Sequence, residues 1–321
     1  VGNNWAEDRE YLQKTHDMKK VDASIVLLTR NAGKQFRLLL NGIYSQTGVE
    51  FEVILIDTAS TDETLEIAAG YPIDKIQSVS VRDFGHGKTR NLGAELARGK
   101  YVVYIAQDAL PLDSNWVSNL VRHFDDTKVA GVFGRQIPKE GCKPPDTYSY
   151  REDYPNKGEV LSITNRRYRN VIFSDVNSAL RKEVLIRYPF LNDLLVSEDN
   201  CWANLVISKG YDIVYEPRAA VVHSHMYTIP RIVKLHFDQG IAYSQMGTNH
   251  DSILFVRNSL QRCLSKVAFL LKEKQYYWVL YVFAVDSLRF IALNLGKRHK
   301  YLPIVLKRRL SNFSDTITRV S

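Results

Sequence analysis

Three polar residues stand where apolar runs stop. Ala23-Ser24-Ile25-Val26-Leu27-Leu28 ends in Thr29-Arg30-Asn31, Phe51 to Ile56 closes on Asp57, and Lys100 to Ile105 leads through Ala106-Gln107 to Asp108 and the break at Pro111. Runs this apolar, rich in β-branched and aromatic residues, read as buried strands. In open α/β sheets ligands bind at the carboxyl ends of the strands. Three such ends, each offering a side-chain donor or acceptor, make one rim suited to a nucleotide. A carboxylate on that rim can ligate a hard divalent cation, which prefers oxygen and bridges phosphates. The structural alternative for Asp108 is a cap on a helix beginning near Ser114. Two further groupings matter. Glu198-Asp199 are adjacent acids at a helix start, where the helix dipole alone favours them. His223-Ser224-His225 close a strand, as a structural pair or as ligands better suited to Mn2+ than to Mg2+.

The elements that must position these residues alternate. Phe36, Leu39, Leu40 and Ile43 recur at helical spacing. Ser60-Thr61-Asp62-Glu63 reads as a capping box opening the next helix. Ile76 to Val79 is a weaker strand, His86 to Ala97 a helix stopped by Gly99, Trp116 to Phe124 a helix and Val129 to Phe133 a strand. Strands alternating with helices predict βαβ units in a mostly parallel sheet. From Gln136 to Asn170 the periodicity is lost among Pro138, Pro144, Pro145, Pro155 and the cluster Arg166-Arg167-Tyr168-Arg169. Long loops of this kind are usually functional or disordered, so it is read as a mobile flap or a solvated insertion. Order resumes at Val171 to Leu180, with Ser174-Asp175-Val176-Asn177 at its centre. Lys182 to Tyr188 and Glu198 to about Lys209 are helices, and Tyr211–Tyr215 and Ala219–Val222 read as edge strands.

After Ile229 no strand signal remains. Ile229 to Met246, Ile253 to Leu271 and Tyr276 to Leu295 read as helices, the last strongly apolar but interrupted by Asp286 and Arg289. Two central charges argue against a membrane span. Net charge is +8, yet residues 255–321 carry 13 Lys and Arg against three acids, a balance of +10 that leaves 1–254 at −2. Leu302, Ile304, Val305 and Leu306 beside Lys300, Lys307, Arg308 and Arg309 suit a helix lying in an anionic membrane interface. The structural alternative is helices packed on one another with a solvated basic face. The slightly acidic sheet region argues against a nucleic-acid partner. Cys142, Cys201 and Cys263 form neither a disulfide framework nor a metal spacing, Val1 reads as trimming, and no signal peptide is visible, which predicts the cytoplasm.

Several of these segments together resemble family 2 glycosyltransferases. Ile25-Val26-Leu27-Leu28-Thr29-Arg30-Asn31 is similar to their opening strand, and Ile56-Asp57-Thr58-Ala59-Ser60-Thr61-Asp62 to their Val-Asp-Asp-Gly-Ser-Thr-Asp. Thr89-Arg90-Asn91-Leu92-Gly93-Ala94 and Ala97-Arg98-Gly99-Lys100-Tyr101 resemble the helix and turn before the family's metal motif, and Glu198-Asp199 its Glu-Asp pair. The resemblance covers roughly residues 21–227. Phe84-Gly85-His86-Gly87-Lys88, Gln107-Asp108-Ala109-Leu110-Pro111 and His223-Ser224-His225 further resemble the rhamnosyltransferase-like branch that builds bacterial surface polysaccharides. One departure stands out: the family's Asp-x-Asp reads Ala106-Gln107-Asp108, without its first acid.

Composition sets off an arm over 1–20 and, over 229–321, a basic amphipathic C-terminal helical extension expected to associate with a membrane; for the catalytic domain over 21–228 the resemblance implies a GT-A fold. It implies an inverting transfer of a sugar, L-rhamnose from dTDP-L-rhamnose, to a lipid-linked or growing O-antigen-type glycan, by a cytoplasmic enzyme peripheral on the inner face of the membrane. A transferase using another donor such as a UDP-sugar, or a non-catalytic nucleotide-sugar or glycan-binding relative, is the alternative. Asp199 is carried over as the base, with Glu198 supporting it. Thr29, Arg30, Asn31, Asp57, Ser60, His86, Arg90, Gln107 and Asp108 are expected to bind the nucleotide sugar. Asp108, His223 and His225 are expected to hold Mg2+ or Mn2+.

Overall fold

The structure, a computed structural model, describes residues 21–164, 173–245, 252–313 and 317. The expected arm over 1–20 and the cluster Arg166-Arg167-Tyr168-Arg169 lie outside the described residues.

In chain order the first half holds β1 (Ala23–Thr29), α1 (Phe36–Tyr44), β2 (Phe51–Asp57), α2 (Thr64–Ala69), β3 (Lys75–Ser78), α3 (His86–Leu96), β4 (Tyr101–Ala106), β5 (Leu110–Pro111), α4 (Trp116–Val121) and β6 (Val129–Ile137). The rest holds α5 (Pro144–Asp153), β7 (Glu159–Leu161), β8 (Asn177–Arg181), α6 (Lys182–Arg187), α7 (Glu198–Ser208), β9 (Asp212–Val222), α8 (Ile229–Gln245), α9 (Ser252–Lys272), α10 (Tyr276–Lys297) and α11 (Ile304–Leu310). β1 and β2 are buried on both faces, which is why they read as continuous apolar runs.

The strands form one mixed sheet in the order β3-β2-β1-β4-β8-β6-β9-β5, with β7 also on β9. β3, β2, β1 and β4 are parallel. β8 lies antiparallel to both β4 and β6, and β9 runs parallel to β6. β6 and β9 therefore point the same way as β4, and β8 begins where β4 ends. One rim gathers the ends of β1, β2, β4, β6 and β9 and the start of β8. Alternate residues feed two cores. Ile25, Leu27, Val53 and Val103 pack with α1 and α4 through Phe36, Leu40 and Trp116. Val26, Ile54, Val102 and Tyr104 pack with α3, α6 and α7 through Ala94, Leu185 and Trp202. α3 approaches β1 so closely at Gly93 that a Cβ there would lie 2.4 Å from Val26 Cγ1.

Four local expectations are corrected. Ser60 does not cap α2: its hydroxyl donates to Asp57 Oδ1 at 2.6 Å. Asp108 does not cap α4, because the Asn115 N–H at that helix start donates to Asp113 Oδ1 at 2.8 Å. Tyr211–Tyr215 and Ala219–Val222 are one strand, β9, interior between β6 and β5 and broken only by a bulge opposite Gly134 and Arg135. The stretch from Gln136 is no featureless flap, since it continues β6 and contains α5 and β7.

The C-terminal helices pack on one another and on the sheet domain. α8 and α10 cross at Gly240 and Gly296, where a Cβ on Gly296 would lie 2.0 Å from Phe237 O. Asp286 of α10 pairs with Lys266 of α9 at 3.0 Å and with Arg289 at 3.1 Å. Arg289 also reaches Asp146 of α5 at 3.3 Å. Asp286 and Arg289 thus point inward. Among the described residues, α10 is the one helix long and apolar enough to cross a membrane.

Candidate active site

The rim holds three connected groups. At the ends of β1 and β2, Asp57 is buried and accepts from Thr29 Oγ1 at 3.0 Å, from Ser60 Oγ at 2.6 Å and from Ser60 N at 2.9 Å. An ionised carboxylate offers about four acceptor positions, so Asp57 keeps one for a ligand N–H. Asn31 ties the two strand ends together: its N–H donates to Ser60 Oγ at 2.8 Å and its Oδ1 accepts from Thr61 N at 2.8 Å. Gln107 spends its amide on the backbone of Arg30, accepting from Arg30 N at 2.9 Å and donating to Arg30 O at 3.3 Å. Asn31 and Ala59 sit at φ 49° and 48°. Left-handed backbone in residues other than glycine costs energy and clusters at functional sites.

The second group joins α3, α7 and the start of β8. The buried Arg90 guanidinium pairs with Glu198 Oε1 through Nη1 and approaches Asp175 Oδ2 at 3.4 Å through Nε. Tyr104 OH donates to Arg90 O at 2.8 Å. Asp199 accepts from Asn200 N at 2.7 Å and from Asp175 N at 3.4 Å. One guanidinium therefore pairs with two carboxylates and acts through its charge on a third, Asp199. Burial, then the neighbouring Glu198 charge, push the Asp199 carboxyl up from its usual range; Arg90 and the two N–H donors pull it back only in part. Burial likewise pushes Asp175 up against the pull of Arg90. Burial and then Arg90 push His86 down to about 4, so its ring is neutral at pH 7. Ser197, immediately before the acid pair, is held at φ 66°.

The third group forms because β5 pairs with β9. The partnership of Leu110 with Val222 folds the turn after β4 against the end of β9. Asp108 then lies 3.5 Å from His223 Nε2, 3.7 Å from His225 Nδ1 and 3.4 Å from Lys139 Nζ. Burial pushes the Asp108 carboxyl up, but the facing His223, His225 and Lys139 outweigh it and hold the group well below the usual range. Burial, then His223, push His225 down to about 4.

The Asp108, His223 and His225 ligand atoms lie within 4.8 Å of one another, an arrangement that could hold a metal ion. The chemistry of His223 tests the fit. Gln136 Nε2 donates to Tyr154 OH at 2.7 Å and Ser174 Oγ at 3.0 Å, which turns its Oε1 toward His223 Nδ1 at 2.9 Å. In the neutral ring Nδ1 then carries the proton and Nε2, buried and without a hydrogen-bond partner, presents a lone pair toward Asp108; the protonated ring instead faces Asp108 as a cation, the state that holds that carboxyl low. A cation between a carboxylate and an imidazole lone pair satisfies both, and a second hydrogen bond behind the ring fixes the required tautomer. The residues fit a divalent cation, with Lys139 as the competing charge.

A cavity of about 320 Å3 is lined by residues of the first two groups, among them Thr29, Arg30, His86, Arg90, Gln107 and Asp175, whereas Asp57, Asp199, Asp108, His223 and His225 do not line it. Asp57 adjoins it through Thr29, Asp199 through Asp175, and Asp108 follows Gln107 in the chain. The apolar wall includes Val26, Leu28, Phe84 and Ile105. Sequence reasoning missed Asp175, Lys139 and Gln136. Asp175 could be found only by knowing that β8 is antiparallel, which brings the start of that strand, not its end, to the rim.

The sequence model of glycosyl transferase family 2 matches residues 24–188, more than half of the chain. The chain is 29% identical over 305 residues to the O-antigen chain rhamnosyltransferase RfbN of Salmonella typhimurium, covering 91% of this chain and 95% of that protein. It is 28% identical over 306 residues to the O-antigen chain rhamnosyltransferase WbaN of Salmonella anatum, covering 91% and 94%. Among solved structures, the mannosyltransferase PcManGT of Pyrobaculum calidifontis, in complex with GDP-Man and Mn2+, superposes with a TM-score of 0.63 at 18% identity over 89% of each chain. Staphylococcus aureus TarS 1–349, in complex with UDP-GlcNAc, superposes with a TM-score of 0.54 at 19% identity over 72% of this chain and 68% of that one. The α/β fold is thus the GT-A fold, with helices added at its C-terminal end.

Proposed function

Since the chain belongs to glycosyl transferase family 2 and is a glycosyltransferase, we propose that it transfers L-rhamnose from dTDP-L-rhamnose, with inversion, to a lipid-linked or growing glycan of the O-antigen type. The sugar and pathway rest on its full-length likeness to RfbN and WbaN. The observation that supports transfer is a cavity lined by Thr29, Arg30, Gln107, Arg90 and Asp175, with Asp199 hydrogen-bonded to the Asp175 backbone and a candidate cation cluster beginning at Asp108, the residue after Gln107.

The division of labour follows from the geometry. Asp57 takes the base imide N–H on its remaining acceptor position, and Thr29, Arg30, Asn31 and Ser60 shape the floor beneath base and ribose. Gln107 acts by fixing Arg30 rather than by meeting the ligand. Asp108, His223 and His225 would hold a divalent cation, which would supply positive charge for the leaving nucleoside diphosphate. Lys139 lies where it adds positive charge to the same oxygens. Asp199 accepts the proton of the acceptor hydroxyl as that oxygen forms its bond to the anomeric carbon and the bond from that carbon to the diphosphate oxygen breaks. A single displacement inverts the centre and requires no covalent nucleophile. The raised Asp199 carboxyl suits a general base, whose proton affinity works best near the operating pH. Glu198 and Asp175 hold Arg90, and Arg90 keeps Asp199 ionised despite its burial.

Binding without transfer is the second reading, and Ala106 in place of the first acid of the metal motif favours it. A melting screen of dTDP-rhamnose, UDP-sugars and GDP-mannose, each with and without Mn2+, followed by a transfer assay, decides. A ligand that binds only the folded chain raises its melting temperature by mass action. The expected result is the largest rise with dTDP-rhamnose, increased by Mn2+, and transfer to an acceptor glycan. Binding of dTDP-rhamnose with no transfer supports the second reading, and a larger rise with a UDP-sugar reassigns the donor.

A further inference from the structure

We infer that α10 and α11 form a docking face for an anionic lipid bilayer, lying along its surface rather than through it. α10 exposes a stripe at Tyr277, Leu280, Ala284, Ser287 and Ile291, the i, i+3, i+7 spacing of one helix face. Tyr277 is 78% exposed and Leu280 77%, so within the described residues nothing covers the stripe. It runs about 21 Å along the helix and carries no charge.

Charge marks its two ends. Lys272 and Lys274, with Glu273 between them, precede it; Arg298, Lys300, Arg308 and Arg309 follow it, all exposed, so the excess of positive charge lies mainly at the far end. Tyr276, Tyr277 and Tyr301 stand at the ends as well, and Val305 of α11 extends the apolar surface. Apolar side chains flanked by aromatic and basic residues match the layering of an anionic membrane interface. A protein partner would call for neither the uncharged length nor the basic flanks together.

The ion pairs decide against a span. Asp286, Arg289, Lys266 and Asp146 link the opposite face of α10 to α9 and to α5 of the catalytic domain. A spanning α10 would have to carry that network into hydrocarbon or break it. Tyr281, one turn on from Tyr277 and at the flank of the stripe, links α10 to the site. Lys143 Nζ donates to Tyr281 OH at 3.2 Å and to Tyr227 O at 3.0 Å. Lys139, four residues before it, faces Asp108. Docking this face holds the metal-binding rim beside the bilayer, where a lipid-linked acceptor presents its sugar.

The test is co-sedimentation of the full chain with vesicles rich in phosphatidylglycerol and with vesicles of phosphatidylcholine alone. Binding is expected to the anionic vesicles, released by high salt. Leu280→Glu with Ile291→Glu is expected to weaken it at least about tenfold. Lys300→Gln with Arg308→Gln and Arg309→Gln is expected to weaken it about a hundredfold. Both variants should keep the wild-type melting temperature and its rise with dTDP-rhamnose. No binding to anionic vesicles, binding untouched by the glutamates, or resistance to salt and alkaline extraction would overturn the inference. So would a lipid-free dimer that the glutamates split, which would make the face a contact between two copies. Vesicle binding needs no donor, so a wrong sugar assignment leaves this result unchanged.

Discussion

Replacing Arg90 by Met keeps the apolar stem and removes the one cation facing Glu198, Asp175 and Asp199. Glu198 is 4% exposed and Asp175 1%, so neither can turn to water for compensation. Removing one partner of a buried ion pair typically costs about 3–5 kcal/mol. For a chain of 321 residues that is a fall in melting temperature of about 4–7 °C. The sign of the pH dependence follows from the direction of the shifts. Without Arg90 the Asp175 and Asp199 carboxyls, which it pulls down, titrate still higher, and a group whose folded pKa is raised keeps its stability below its unfolded value and loses it as pH rises through the folded one. The deficit of Arg90→Met against wild type is therefore expected to be small near pH 5 and full at pH 8. Arg90→Lys should recover only part of it, because an ammonium cannot span two carboxylates as a guanidinium fork does. Thermal melts of the three proteins at both pH values are the assay. A loss of under about 1 kcal/mol, or one equal at pH 5 and pH 8, would refute the reading that this guanidinium compensates the acid cluster.

Three other perturbations probe the remaining parts. Glu198→Gln removes the neighbouring charge that raises Asp199, so the acid limb of the kcat/KM–pH profile should move to lower pH; an unmoved limb would detach Asp199 from the rate. Gln136→Leu removes the partner of His223 Nδ1 and should weaken Mn2+ binding about 10–100-fold, read as the metal-induced melting shift, with the metal-free response to donor unchanged. Gly296→Val forces a side chain into the α8–α10 crossing, where even a Cβ would lie 2.0 Å from Phe237 O. Overpacking of that kind costs about 1–3 kcal/mol, measured as a lower melting temperature.

The parallel half of the sheet was legible because its strands are buried on both faces and end in polar residues. Thr29, Asp57 and Asp108 could be placed on one rim from that pattern alone. Local polar motifs were less legible, since their partners are distant. Ser60 resembles a cap only until Asp57, three residues back, is seen to take its hydroxyl. Asp175 sits at the start of a strand, and only the antiparallel setting of β8 against β4 makes that start part of the rim. Lys139 and Gln136 follow from β6 running parallel to β4, a fact of topology that spacing does not carry. The same holds for Asp286 and Arg289, which looked like interruptions of an apolar helix and are an inward-facing network with Lys266 and Asp146.

The most direct measurement is a comparison of Asp199→Asn with wild type in two assays on one preparation, transfer from dTDP-rhamnose and the donor-induced melting shift. The substitution keeps the shape of the side chain and removes its capacity to take a proton. Transfer should fall about 10²–10⁴-fold while the melting shift stays at its wild-type size. Turnover near the wild-type rate would show that the acceptor proton leaves by another route and that the cluster built around Arg90 serves the fold alone.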